Sequence, residues 1–253
     1  MNSLAITAIT LVCLLAGAFL GMRVRAAVPG HLTDEAIDVI KLTTGLMATL
    51  AALVLGLLIS SANTTHNLVE SEYRQALVNV VLLDRDLAQY GPETQDARAM
   101  LRHMFLRKAE TVWPEEDFGP KEPASAGGEP IIEEVQRILL RLSPANEAQT
   151  WYRSRALEMV SQAQQLRWLL VSQEAAGTIA TPLLVVLIFW TTAIFGSFGL
   201  LARINPTVLF ALLVSALAVA CAIFMLFELD SPFTGLIKIS SGPARAALAV
   251  LEQ

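Results

Sequence analysis

LTTGLMATLAALVLGLLISSANTTHNLVESEYRQALVNVVLLDRDLAQY, residues 42–90, decides the fold, because a membrane-length apolar run passes into a polar, helix-patterned run without a break. Residues 42–62 contain no Asp, Glu, Lys, Arg or His, and they match the roughly 20 residues that cross about 30 Å of hydrocarbon. Beyond them no Pro or Gly falls between Leu57 and Tyr90, while Tyr73, Leu77, Val80, Leu83, Leu87 and Tyr90 recur every three or four positions, the spacing of one buried helix face. A single helix over this stretch would be roughly 70 Å long, more than twice the hydrocarbon thickness. Gly91 and Pro92 are suited to end it.

Working outward, three more uncharged runs of membrane length appear at residues 4–22, 179–202 and 208–227. The chain has a mean hydropathy of +0.54 and is 54% hydrophobic, yet its charges are confined to the stretches between the runs, as a bilayer imposes. The fold class is therefore all-α, with four transmembrane helices and a helical, coiled-coil-like extramembrane insert between the second and third spans. The expected organisation is a first transmembrane pair over residues 1–62, the insert over 63–177, a second pair over 178–228 and an interfacial tail over 229–253. The opening segment lacks a basic n-region and has Arg23 and Arg25 after its apolar run, so it reads as a span and not as a signal peptide.

Within the insert, residues 93–113 suit a second polar helix, and residues 114–130, rich in Pro, Gly and Glu, suit a mobile linker. Ile131, Val135, Ile138 and Leu142 mark one face of the next helix. Ser143 and Pro144 then resemble an N-cap and first-turn proline. Tyr152, Ala156, Met159, Ala163, Leu166 and Leu170 alternate spacings of four and three, a seam packed against a partner helix. Gly177 and Pro182 mark a bend into the third span.

The insert holds 12 basic against 17 acidic side chains, which is the whole of the chain's net charge of -5. Without a basic face, nucleic acid is excluded as a partner. Cys13 and Cys221 lie inside spans and read as small packing residues. His66 and Glu70 share a helix face, but no further His or Cys is spaced to complete a metal site. Glu72, Arg74, Asp84 and Arg85 read as surface charges and intrahelical pairs, and Trp190 as packing. With no nucleophile elbow, phosphate loop or paired catalytic carboxylates, neither an enzyme nor a cofactor is expected.

Along the second span Gly45, Thr49, Ala52, Gly56, Ser60, Asn63 and Asn67 fall on one face. This stripe suits close helix packing of the small-xxx-small kind, which explains its glycines directly; the competing reading is an uncharged lining repeated around an axis. The absence of acids and histidines at membrane depth disfavours a proton-coupled carrier and leaves a passive channel open. An acidic insert at the mouth of such a path would gather cations. Arg23, Arg25, Lys41 and Arg203 hug the ends of the spans on the short-loop side, which favours a periplasmic over a cytoplasmic insert, with both termini on the insert's side of an inner membrane. The alternative to a channel is a non-conducting scaffold or envelope sensor that binds a protein through the insert.

After the last span, Glu228, Leu229, Asp230, Ser231, Pro232, Phe233, Thr234 and Gly235 supply the residues of a fixed turn. From there Phe233, Leu236, Ile237 and Ile239 are expected to lie on the membrane surface or to fold back on the antiparallel stalk formed by the long second helix and the helix returning to the third span, ahead of a short amphipathic segment at residues 243–251. Here the chain resembles the bacterial bestrophin-like membrane proteins, which share two spans, a helical insert, two more spans and an acidic tail of the form Leu-Asp-x-Pro-Phe-x-Gly. Leu229, Asp230, Pro232, Phe233 and Gly235 carry that resemblance, as do residues 70–72 and Trp113 with Pro114. The resemblance implies a homo-oligomer, a pentamer by analogy with bestrophin channels, whose second span lines an ion path. Two features depart from that analogy: the charge balance favours an external insert where bestrophins have a cytosolic one, and the second span has no aromatic cluster.

Overall fold

A computed structural model describes residues 3–27, 33–116, 118, 131–176, 181–202, 205–230, 233 and 235–251. Among these the regular structure is helical throughout: α1 (Ser3–Ala27), α2 (Asp34–Tyr90), a 3₁₀ turn (Pro92–Thr94), α3 (Gln95–Val112), α4 (Ile131–Arg141), α5 (Glu147–Ala176), α6 (Thr181–Leu201), α7 (Pro206–Leu229) and α8 (Gly242–Leu251). The linker expected to be mobile falls mainly at residues 119–130, and the bend at Gly177 lies at 177–180; both are outside the described residues.

Two compact units result, one of Met1–Asn67 with Gly177–Ile237, the other of Leu68–Ala176 with Lys238–Gln253. The first contains the apolar helices. Four helices are long and apolar enough to cross a membrane, and the chain is an integral membrane protein. The second helix begins at Asp34, eight residues before the uncharged run. Thr33 Oγ1 accepts the Ala36 N–H at its start, and Asp34 and Glu35 occupy the first turn, where negative charge meets the positive end of the helix dipole.

In this unit α1 packs on α6 and α7. Leu14, Ala18, Phe195, Leu212 and Ala216 form one cluster, and Ile6, Leu184 and Ile223 another. The α1–α6 contact is made by glycines. A Cβ on Gly17 would meet Thr192 O at 2.7 Å, one on Gly21 would collide with Gly196 O, and one on Gly199 with Ala18 O. This is the close backbone approach that small residues permit where lipid gives helices no hydrophobic reason to associate. Arg25 donates to the Leu200 and Leu201 carbonyls at the end of α6, a cation on the negative end of a helix. Asn205 caps α7 through the Thr207 N–H, with Pro206 in the first turn, a pairing that satisfies one donor and removes another.

The second unit is a helical bundle. Leu83 and Leu87 of α2, Ala97 and Leu101 of α3, Ile132, Val135 and Leu139 of α4, and Ala156, Met159 and Val160 of α5 form its core. Two local readings are corrected here. The buried face of α4 centres on Ile132, Val135 and Leu139, with Ile138 and Leu142 at its edge. The fifth helix opens after Asn146 and not after Ser143, because Asn146 Oδ1 accepts the Gln149 N–H at 2.8 Å while Gln149 Oε1 accepts the Ala145 N–H at 2.7 Å. That reciprocal pairing needs a Gln or Glu three residues after the cap, and Ser143 has Asn146 there instead.

Candidate functional site: the open face of the second span and the clasped tail turn

On α2, Met47, Ala48, Ala51, Leu55 and Leu58 pack toward Leu187, Trp190 and Ile194 of α6, and Ala62 packs toward Leu226 and Leu229 of α7. Trp190 is thus a packing residue. Roughly a third of a turn around the same helix, Gly45, Thr49, Ala52, Gly56, Ser60, Asn63 and Asn67 are all exposed. A Cβ on Gly45 or Gly56 would meet nothing within 4 Å. Close glycine-mediated helix packing within the protomer occurs at Gly17, Gly21 and Gly199. The sequence signal for it is Gly17-x-x-x-Gly21, a small-xxx-small spacing inside the first span.

Two threonine hydroxyls, one on the open face and one beside it, donate to their own helix. Thr49 donates to Gly45 O at 3.0 Å and Thr64 to Ser60 O at 2.9 Å. What a hydroxyl so engaged presents outward is acceptor oxygen. His66 is buried with Nδ1 unbonded, whereas Glu70 is paired with Arg74 at 2.6 Å. Among the described residues no group of three or more His, Cys, Asp or Glu could hold a metal ion.

Of the tail motif, Leu229, Asp230, Phe233 and Gly235 are described and Pro232 is not. The residue that organises the turn is the one just before the motif. Glu228 is buried in the last turn of α7; its Oε1 accepts the Ser3 hydroxyl at 2.8 Å and its Oε2 the Leu236 N–H at 2.6 Å, with the Ile237 N–H also directed to it. Gly235 has φ +97, and a Cβ there would collide with Glu228 Oε2. Ile237 packs with Leu229, Leu226, Leu58 and Ile59. Sequence reading took Glu228 as one acidic member of a turn; nothing in spacing announces that its carboxylate would turn inward.

In the second unit the rest of the tail is strapped to Trp113. The indole N–H donates to Ile239 O at 3.0 Å. Ala244, Ala247, Leu248 and Leu251 of α8 join Leu77, Phe105, Ala109, Trp113 and Phe118 in an apolar cluster. Charge pairs border it: Lys238 with Glu115 at 3.1 Å and Arg245 with Glu116 at 2.7 Å. Hydrogen bonds from Ser241 and then Arg245 hold the Glu116 carboxyl below its ordinary range. Residues 239–251 therefore fold back, while Leu236 stays exposed.

The reading of Asp84 as a surface charge is corrected. Asp84 is buried and accepts two bonds from Arg98 of α3, at 2.7 and 2.9 Å. Asp86 is likewise buried, 3.0 Å from Arg155 of α5. Both carboxylates sit on the bundle side of α2 because a cation on the neighbouring helix meets each, and an unpaired charge would not be tolerated there.

Residues 12–244 match the family model described as a bestrophin-like domain. No curated protein and no solved structure matches the chain.

Proposed function

We propose, proceeding from the fact that this chain belongs to the bestrophin-like family of membrane proteins, that it is a homo-oligomeric passive ion channel of the bacterial inner membrane, lined by the second span. The observation that carries this reading is the outward face of α2. Among the described residues Thr49 and Ser60 are exposed on the side of α2 away from its packed face, in a segment whose ordinary surroundings would be hydrocarbon, and Asn63 and Asn67 continue that exposed face just beyond it. Lipid offers such polar groups no partner beyond the backbone of their own helix. Copies of α2 arranged about a common axis would give these groups water and ions instead, as an uncharged lining requires. The acceptor oxygens of this face and the acidic insert both favour cations. No catalytic step is assigned to the protein.

The decisive measurement is current across planar bilayers holding the purified protein. Conduction that falls in Ser60→Leu and Asn63→Leu supports the lining; absence of current, or flux indifferent to both changes, rejects it. In the orientation we favour, the insert is periplasmic. Glu115→Cys then reacts with a membrane-impermeant thiol reagent on intact cells, whereas a cytoplasmic insert protects it.

A second reading, a non-conducting scaffold or envelope sensor, draws on the large exposed side chains of the insert. Trp168 is 70% and Leu140 57% exposed, and Trp151 is 54% exposed beneath the Arg155 guanidinium. Exposed aromatic and arginine groups of this kind anchor protein contacts. A crosslinker placed at Trp168 that captures a defined envelope protein, in a preparation without current, would favour this reading over the first.

A further inference from the structure

Among the described residues no large apolar side chain is more exposed than Leu236, at 81%. It is not at a loose end. Its own N–H is held by Glu228 Oε2 at 2.6 Å, the residue before it is Gly235 in a left-handed conformation against the same carboxylate, and the residue after it, Ile237, turns inward to Leu226 and Leu229. The backbone on both sides of Leu236 is fixed while its side chain is displayed outward. Ordering of this kind is already complete before anything binds, so a contact made by the side chain loses little conformational entropy.

The level of this side chain relative to the bilayer follows from its partner. Glu228 occupies the last turn of α7, a span helix, and a hydrogen bond from the Leu236 backbone places that residue beside it, where a span leaves hydrocarbon. Exposed apolar residues of α7, among them Phe210, Leu213, Leu217 and Met225, run up to within one turn of Glu228, and Leu236 stands at the next level of the same unit. We infer that Leu236 is a lipid-surface anchor: the clasped turn inserts this one side chain at the boundary between headgroups and acyl chains. The partner is the bilayer that already solvates the apolar surface of α7, and the inference holds whether or not the protein conducts. An isolated leucine at this depth contributes by removing apolar area from water, as interfacial segments do.

The test places an environment-sensitive fluorophore on Leu236→Cys in a Cys13→Ala, Cys221→Ala background, reconstituted in vesicles of phosphatidylcholine and phosphatidylglycerol. Because the parent side chain is exposed, the label displaces no packing. Lipids carrying a nitroxide near the headgroup are expected to remove most of the emission, with a smaller loss from a nitroxide deep in the chain and little from aqueous iodide. Quenching by iodide with silent nitroxides would overturn the proposal by placing the side chain in water. So would shielding from both, with disulfide-linked dimers of the unlabelled Leu236→Cys chain, which would assign the contact to a second copy.

Discussion

The carboxylate of Glu228 lies where any side chain at position 235 would have to stand. Gly235 combines that crowding with φ +97, a backbone setting that costs other residues about 1–3 kcal/mol. Gly235→Ala is therefore expected to destabilise the first unit by at least that amount, read as a lower melting temperature of the detergent-purified protein. Glu228→Ala is expected to cost more than Glu228→Gln, because the amide keeps one acceptor oxygen while Ala leaves two part-buried donors unmet, at about 1 kcal/mol each. Equal melting temperatures for the two Glu228 variants would count against the clasp.

Glycines on α1 and α2 are expected to respond in opposite directions. Gly21→Ala pushes a methyl into the Gly196 carbonyl and should separate α1 from α6, with loss of thermal stability. Gly56→Ala meets open space and gains helix propensity, about 1 kcal/mol at most. If Gly56→Ala leaves the melting temperature unchanged or raised but disperses the oligomer on a sizing column, its face packs on a neighbour; if assembly is kept and conduction changes, it lines the path.

Selectivity offers a third check. With acceptor oxygens outward at Thr49 and Thr64 and a net charge of -5, reversal potentials in a salt gradient are expected to report cations crossing in preference to anions. The preference should weaken as ionic strength rises, because fields from exposed charges decay over roughly 10 Å at 0.1 M salt. A reversal potential of the opposite sign would remove the electrostatic part of the argument.

Acid is expected to loosen α8. The Glu116 carboxyl titrates below its ordinary value in the folded chain, so its contribution is present at any pH above the unfolded value of about 4.3 and is lost as pH falls through the lower, folded value. Hydrogen-exchange protection of residues 242–251, corrected for intrinsic rates, should hold at neutral pH and fall below about pH 4. Glu116→Gln should show weaker protection at neutrality and a flatter response over that interval.

Much of the architecture was legible because lipid is an exacting solvent. Four runs free of ionisable groups had only one use, and the unbroken helical period from Tyr73 to Tyr90 predicted the stalk face that packs through Leu77, Leu83 and Leu87. The start of α2 was less legible. By composition alone Asp34, Glu35 and Asp38 suit a polar loop as well as a helix, and acidic residues behind a Thr33 cap are what opens the helix here. Charged residues were the hardest to place. Whether Asp84 faces water or a neighbouring arginine depends on Arg98, fourteen positions away, and spacing along one helix cannot report a partner on another. The open face of α2 is visible in the sequence as a stripe, but spacing does not tell that Gly45 and Gly56 meet nothing among the described residues while the glycines of α1 make the close crossing.

Ser3 and Glu228 are 225 positions apart, and a single hydroxyl proton joins them at 2.8 Å. The acidic side chain that shapes the tail thus also grips the first turn of the opening helix, like a knot tying the two loose corners of a cloth. Loss of the Ser3 hydroxyl alone would therefore be felt in the posture of Leu236 and Ile237, while the helix crossings at Ile6 and Gly17 stayed as they are.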